Sequence, residues 1–207
     1  MTDQRKPDAD TPSDSPKDDA GAGASATSAA GGYVAHIRAV LTEPDRFFGK
    51  DHRSGRSEAI TDLAVFGAAC FLAAVVARAF GFSGFQFEFG HLVHGLKSLL
   101  VLALPLAGMV FAWAWQGGRA GGQTAPGFYL EKLGGALLLP ALLLVVAIVL
   151  DIFGARIQVW FRGAAMAFVY IGVFAMTFAY AAPGRLKTAV AFTLGFYIAY
   201  RLLVLLF

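Results

Sequence analysis

The sequence predicts an all-α integral membrane protein: a five-transmembrane-helix bundle behind a short cytoplasmic amphipathic N-terminal helix. Three observations carry this. Of 207 residues, 57% are apolar and only 15% charged, against about 45–50% and roughly 25% in a soluble chain. Five apolar stretches are each long enough, at about 1.5 Å per residue, to approach a hydrocarbon core about 30 Å thick. The charge is also divided: residues 1–59 carry 8 Lys/Arg against 10 Asp/Glu, whereas residues 60–207 carry 9 against 4, placed mostly near the ends of the apolar runs.

Residues 1–32 hold no aromatic or branched aliphatic side chain and cannot bury enough to offset the entropy of ordering, so a disordered cytoplasmic tail is expected. They show no apolar signal-peptide core. From Tyr33 the pattern changes, with Val34, Ile37, Val40 and Leu41 following on one helical face. Glu43-Pro44 ends that helix, and Arg46, Phe47, Phe48, Lys50, Arg53 and Arg56 form a basic, aromatic approach to the membrane. Residues 33–57 read as an amphipathic juxtamembrane segment, and these six side chains as candidate contacts for headgroups or a partner. Packing of the segment against the inner end of the bundle is the other reading.

The membrane domain, 58–207, holds expected spans at 59–80, 92–115, 131–152, 160–182 and 186–207. The first is the weakest, because only Leu63–Ala77 separates Asp62 from Arg78 and both must reach the interfaces. The second carries Lys97 near its start and Pro105, and the third carries Pro140; both prolines are expected to kink their helices. Leu133–Leu150 and Gly163–Ala182 are uncharged. With the N-terminus inside, eight basic residues gather on the cytoplasmic side and at most five opposite, which the positive-inside rule favours. Five spans then put Phe207 on the far side, and in a bacterium the membrane is the plasma (inner) membrane. The phenylalanine-rich segment 80–89 suits an interfacial outer loop.

The run Val40-Leu41-Thr42-Glu43-Pro44-Asp45-Arg46-Phe47-Phe48 ahead of five spans, with Gly134-Gly135 and Pro140 in the third span, resembles the Yip-domain family of membrane proteins over about residues 33–207. The resemblance implies a five-span bundle with a cytoplasmic N-terminus. In eukaryotic members it also implies vesicle trafficking and contact with prenylated Rab-type GTPases. Their Asp-Leu-Tyr-Gly-Pro signature is absent here, and the Ala/Gly/Arg-rich composition looks more like a bacterial member, for which no Rab partner is implied.

Catalytic patterns are sparse. Ser83 and Ser98 are the serines between residues 58 and 207, without a nucleophile elbow around either. No His-Glu-x-x-His occurs. Glu88, His91 and His94 advance 300° per step on a helix, which splays the first and third by 120°. Cys70 is the single cysteine, so intramolecular disulfides and cysteine metal clusters are excluded. Gly117-Gly118-Arg119-Ala120-Gly121-Gly122 lacks the Lys-Ser/Thr ending of a phosphate cradle and reads as a flexible connector. Gly163, Ala167, Ala175 and Ala179 keep spacings that allow close helix approach. Arg201 lies about 21 Å beyond Lys187 along its helix, and an intramembrane ion pair between Asp151 and Arg201 is expected. No cofactor or metal is implied. The expected partners are the lipid bilayer and other membrane or peripheral proteins, with self-association an option, and nucleic acid is not expected. The function read from this pattern is a non-enzymatic membrane organiser or adaptor. A small-solute transporter or channel is the alternative, suggested by the helix-breaking prolines and glycines and weakened by the absence of any asparagine or polar stripe.

Overall fold

The computed structural model describes residues 21–43, 56–81, 84–119 and 125–207. The chain divides into two units, Met1–Ala35 and His36–Phe207. Helix α1 runs Gly21–Thr42 and crosses that division; α2 is Arg56–Ala79, α3 Phe89–Arg119, α4 Pro126–Ile152, α5 Gln158–Met176 and α6 Leu186–Leu206. Between α2 and α3, Phe80–Gly81 (β1) pairs antiparallel with Gly84–Phe85 (β2), and the ring centroids of Phe80 and Phe85 lie 5.0 Å apart. A π-helical turn, Thr177–Ala181, extends α5.

Among the described residues, five helices are long and apolar enough to cross a membrane: Ser57–Ala79, Phe89–Arg119, Pro126–Ile152, Gln158–Ala181 and Leu186–Leu206. The chain is a multi-pass integral membrane protein. All five expected spans are present, and α3 and α4 continue through Pro105 and Pro140.

The central helix is α4, which packs most extensively on α2 and α5. Its buried Leu133, Leu137, Ala141 and Leu144 recur at helical spacing. They meet Phe66, Ala69 and Ala73 of α2, Leu102, Leu106 and Val110 of α3, and Ala165, Val169 and Val173 of α5 in one core. Large apolar side chains such as Leu104, Phe111, Val145, Ile171 and Leu205 point outward, as a bilayer solvent permits. Helix α6 is peripheral, with Ala189 and Phe196 its buried residues.

Two close approaches set the helix spacing. A Cβ at Gly95 would lie 2.6 Å from Val75 Cγ2 of α2, and one at Gly134 would lie 3.0 Å from the Ala59 carbonyl oxygen. The α4–α5 turn is set by Gly154, at φ +67°. Its N–H donates to the Asp151 carbonyl, and the Ala155 N–H donates to the Leu150 carbonyl. These two bonds make a Schellman motif, which needs a left-handed residue at Gly154.

Candidate functional site

Polar side chains gather at both ends of the bundle. At the α1 end, Asp62 lies six residues into α2, about 9 Å along its axis, and is only 1% exposed. It was expected to reach the interface. Instead it turns inward against Gly134 of α4, where an added Cβ would lie 3.2 Å from Asp62 Cβ, and His36 of α1 lies over it. Asp62 Oδ2 accepts from His36 Nε2 at 3.0 Å, and His36 Nδ1 lies 3.7 Å from Glu58 Oε2. A buried carboxylate needs such partners. One turn further along α1, Val40 is buried against Leu138 of α4. This end of α1 therefore packs on the bundle; residues 44–55 of the expected amphipathic segment lie outside the described residues. Arg38, Ala39, Leu41 and Thr42 remain exposed.

Next to this contact, Lys132 is fully buried, with Nζ 5.9 Å from the Phe128 ring centroid, within the range of a cation–π attraction. The rings of Phe128, Tyr129, Tyr180 and Trp113 surround this layer through edge and tilted contacts. Trp113 Nε1 donates to Thr177 Oγ1 at 2.8 Å, and Thr177 Oγ1 donates to the Val173 carbonyl at 2.8 Å. The hydroxyl that opens the π-helical turn thus ties α3 to α5.

At the opposite end, a cavity of about 550 Å³ lies among α2, α3, α4, α5 and α6. Arg78, His94, Lys97 and Arg162 line it together with buried Ala73, Val101 and Leu102. His94 is within electrostatic reach of Arg78, Lys97 and His91. Lys97 Nζ donates to the Phe207 carbonyl at 3.3 Å. Arg162 Nη2 forms an ion pair with Asp151 Oδ2 and donates to the Ala73 carbonyl at 3.0 Å. This one side chain therefore joins α5 to α4 and α2. Its Nε is buried with no hydrogen-bond partner among the described residues.

No family model matches the chain, and neither a curated protein nor a solved structure does.

The predicted site residues divide as follows. Arg46, Phe47, Phe48, Lys50 and Arg53 lie outside the described residues, and Arg56 opens α2. The ion pair expected between Asp151 and Arg201 is corrected: Asp151 pairs with Arg162, and Arg201 is exposed. The reason is connectivity. The tight turn at Gly154 folds α5 back beside α4, so Arg162, eleven residues after Asp151, reaches the carboxylate, and no side chain of α6 is needed. Gly117, Gly118 and Arg119 continue α3 instead of opening a loop, and the Arg119 guanidinium lies 3.7 Å over the Trp115 ring. Gly163, Ala167, Ala175 and Ala179 are all exposed and do not mediate packing within the bundle. Among the described residues, no group of three His, Cys, Asp or Glu side chains could hold a metal ion.

The convergence of Arg78, His94, Lys97 and Arg162 escaped the sequence reading, which took each basic residue singly as an interfacial anchor. The available signal was positional: all four lie near the same ends of α2, α3 and α5 once three successive crossings are counted.

Proposed function

We propose that this chain is a non-enzymatic, Yip-like membrane organiser that presents one end of α1 to protein partners or lipid. On this reading the N-terminus is cytoplasmic and the C-terminus lies on the other side of a bacterial plasma membrane. The observation that carries the reading is the seating of α1. His36 and Val40 pin one face of its last two turns to α2 and α4, while Arg38, Ala39 and Thr42 are exposed and Leu41 edges a groove shared with α4 and α5. A helix fixed on one face and bare on the other is pre-organised for docking, because little of it remains to be ordered on binding. The basic stretch 46–56 follows directly and adds charge suited to anionic headgroups. The excess of basic residues on the α1 side supports the orientation.

The test is photocrosslinking in native membranes from positions 39 and 42 of the full chain, both exposed, compared with an Arg38→Glu/Leu41→Asp variant that keeps His36 and Val40. Specific adducts that disappear in the variant are expected. Adducts unchanged by the two substitutions would refute the reading. Reversed labelling of residues on the α1 side would refute the orientation alone.

A further inference from the structure

The cavity opposite α1 gathers like charge. Arg78, Lys97 and Arg162 reach it from three different helices, with the His94 imidazole beside them, and none of its described lining side chains is acidic. Asp151 offsets Arg162 alone. Like charges gathered at one site repel one another, and the arrangement calls for an anion. The remaining walls are aliphatic: Ala73, Val101 and Leu102 are buried and apolar, and Leu144 and Met166 continue the lining from α4 and α5. At about 550 Å³ the volume lies in the usual range for small-molecule sites, roughly 300–1,000 Å³. A basic pocket between membrane helices with an apolar wall fits a phosphate group carrying an acyl glycerol.

We propose that this cavity binds a phosphate-bearing anion that lacks a compensating cation of its own. Lys97 and Arg78 supply exposed charge at its mouth, and Arg162, held by Asp151 and the Ala73 carbonyl, adds a third cation to its wall. The aliphatic wall accommodates the chain where the anion is a phospholipid headgroup. The inference does not depend on the α1 reading or on the orientation of the bundle.

Cys70 lines the same cavity and is the single cysteine of the chain, so its alkylation by the uncharged reagent N-ethylmaleimide reports occupancy. The full chain in neutral detergent micelles is titrated with dihexanoyl phosphatidylglycerol, dihexanoyl phosphatidylcholine or inorganic phosphate. Saturable slowing of Cys70 alkylation by the glycerol lipid is expected, with the zwitterionic lipid weaker by about tenfold or more, the equivalent of one charge-assisted contact. Protection by inorganic phosphate alone also supports the site and assigns it to the free anion. Lys97→Gln and Arg78→Gln, both at exposed positions, should each raise the half-protecting concentration about tenfold, with the unliganded thermal midpoint showing that the fold is retained. Equal protection by the two lipids, no protection by any probe, or variants indistinguishable from the parent would overturn the proposal.

Discussion

Replacing Arg162 by Gln removes the cation that faces Asp151, a carboxylate only 6% exposed. Losing one partner of a buried pair costs about 3–5 kcal/mol. The Arg162 side chain is 30% exposed, so water reaches part of the site, and about 2–3 kcal/mol is expected. Asp151→Asn leaves a guanidinium that can turn toward water and retains its bond to the Ala73 carbonyl, so its cost should be about 1 kcal/mol. The double variant no longer buries an unmatched charge. Its loss should fall short of the sum of the single losses by about 1–2 kcal/mol, as for residues in direct contact. Arg201→Gln, at an exposed position without that carboxylate, should stay within about 0.5 kcal/mol of the parent. Unfolding in mixed micelles by titration with sodium dodecyl sulfate, followed by tryptophan fluorescence and helical circular dichroism, measures all four. Additive losses, or an Arg201 variant as damaging as the Arg162 variant, would refute the assignment.

Gly95→Ala should destabilise by about 1–3 kcal/mol through overpacking, because the new methyl would meet Val75 and Phe71. Gly163→Ala, which meets nothing within 4 Å, should be neutral or stabilising by up to about 1 kcal/mol; the same micelle titration separates them. Gly154→Ala should cost about 1–2 kcal/mol from left-handed strain alone, since its Cβ would stand in open space; equal stability would show that the turn relaxes. Trp113→Phe should lose about 0.5–1.5 kcal/mol for the bond to Thr177, plus a cavity term for the smaller ring at a fully buried position, and Thr177→Val should not add the full bond loss again in a double-mutant cycle.

The spans were legible because hydrocarbon imposes a length and a composition, and 133–150 or 163–182 satisfy both without a charged residue. What stayed hidden was the direction each polar side chain takes. Hydropathy treats Asp62 and Arg78 alike, as limits on the first span, yet one turns inward to His36 while the other remains exposed at the cavity mouth. Lys132 stands second in the expected third span, where a charge would be set at the interface, but it is enclosed beside Phe128, because Pro126 starts α4 early enough to carry it into the bundle. Depth along a helix suggested Arg201 for Asp151. The order of the chain, with a glycine turn between α4 and α5, pointed to Arg162. Pairing in a bundle follows which helices are neighbours, and that information resides in turns and small residues such as Gly134 and Gly154 more than in the charges themselves.

The inward carboxylate of Asp62 also bears on how the bundle is made. A lone helix with an ionised group away from water pays a penalty in lipid that the translocon senses, up to about 2.5–3.5 kcal/mol at mid-depth. Both features that shelter Asp62, the imidazole before it and the glycine face of α4 after it, come from other segments. The α4 segment is synthesised only after the intervening hairpin and α3. Helix α2 is therefore expected to settle in the bilayer only once its downstream neighbour has emerged, and truncation before residue 134 should leave it poorly retained in the membrane, as alkaline extraction of the truncated chain would measure.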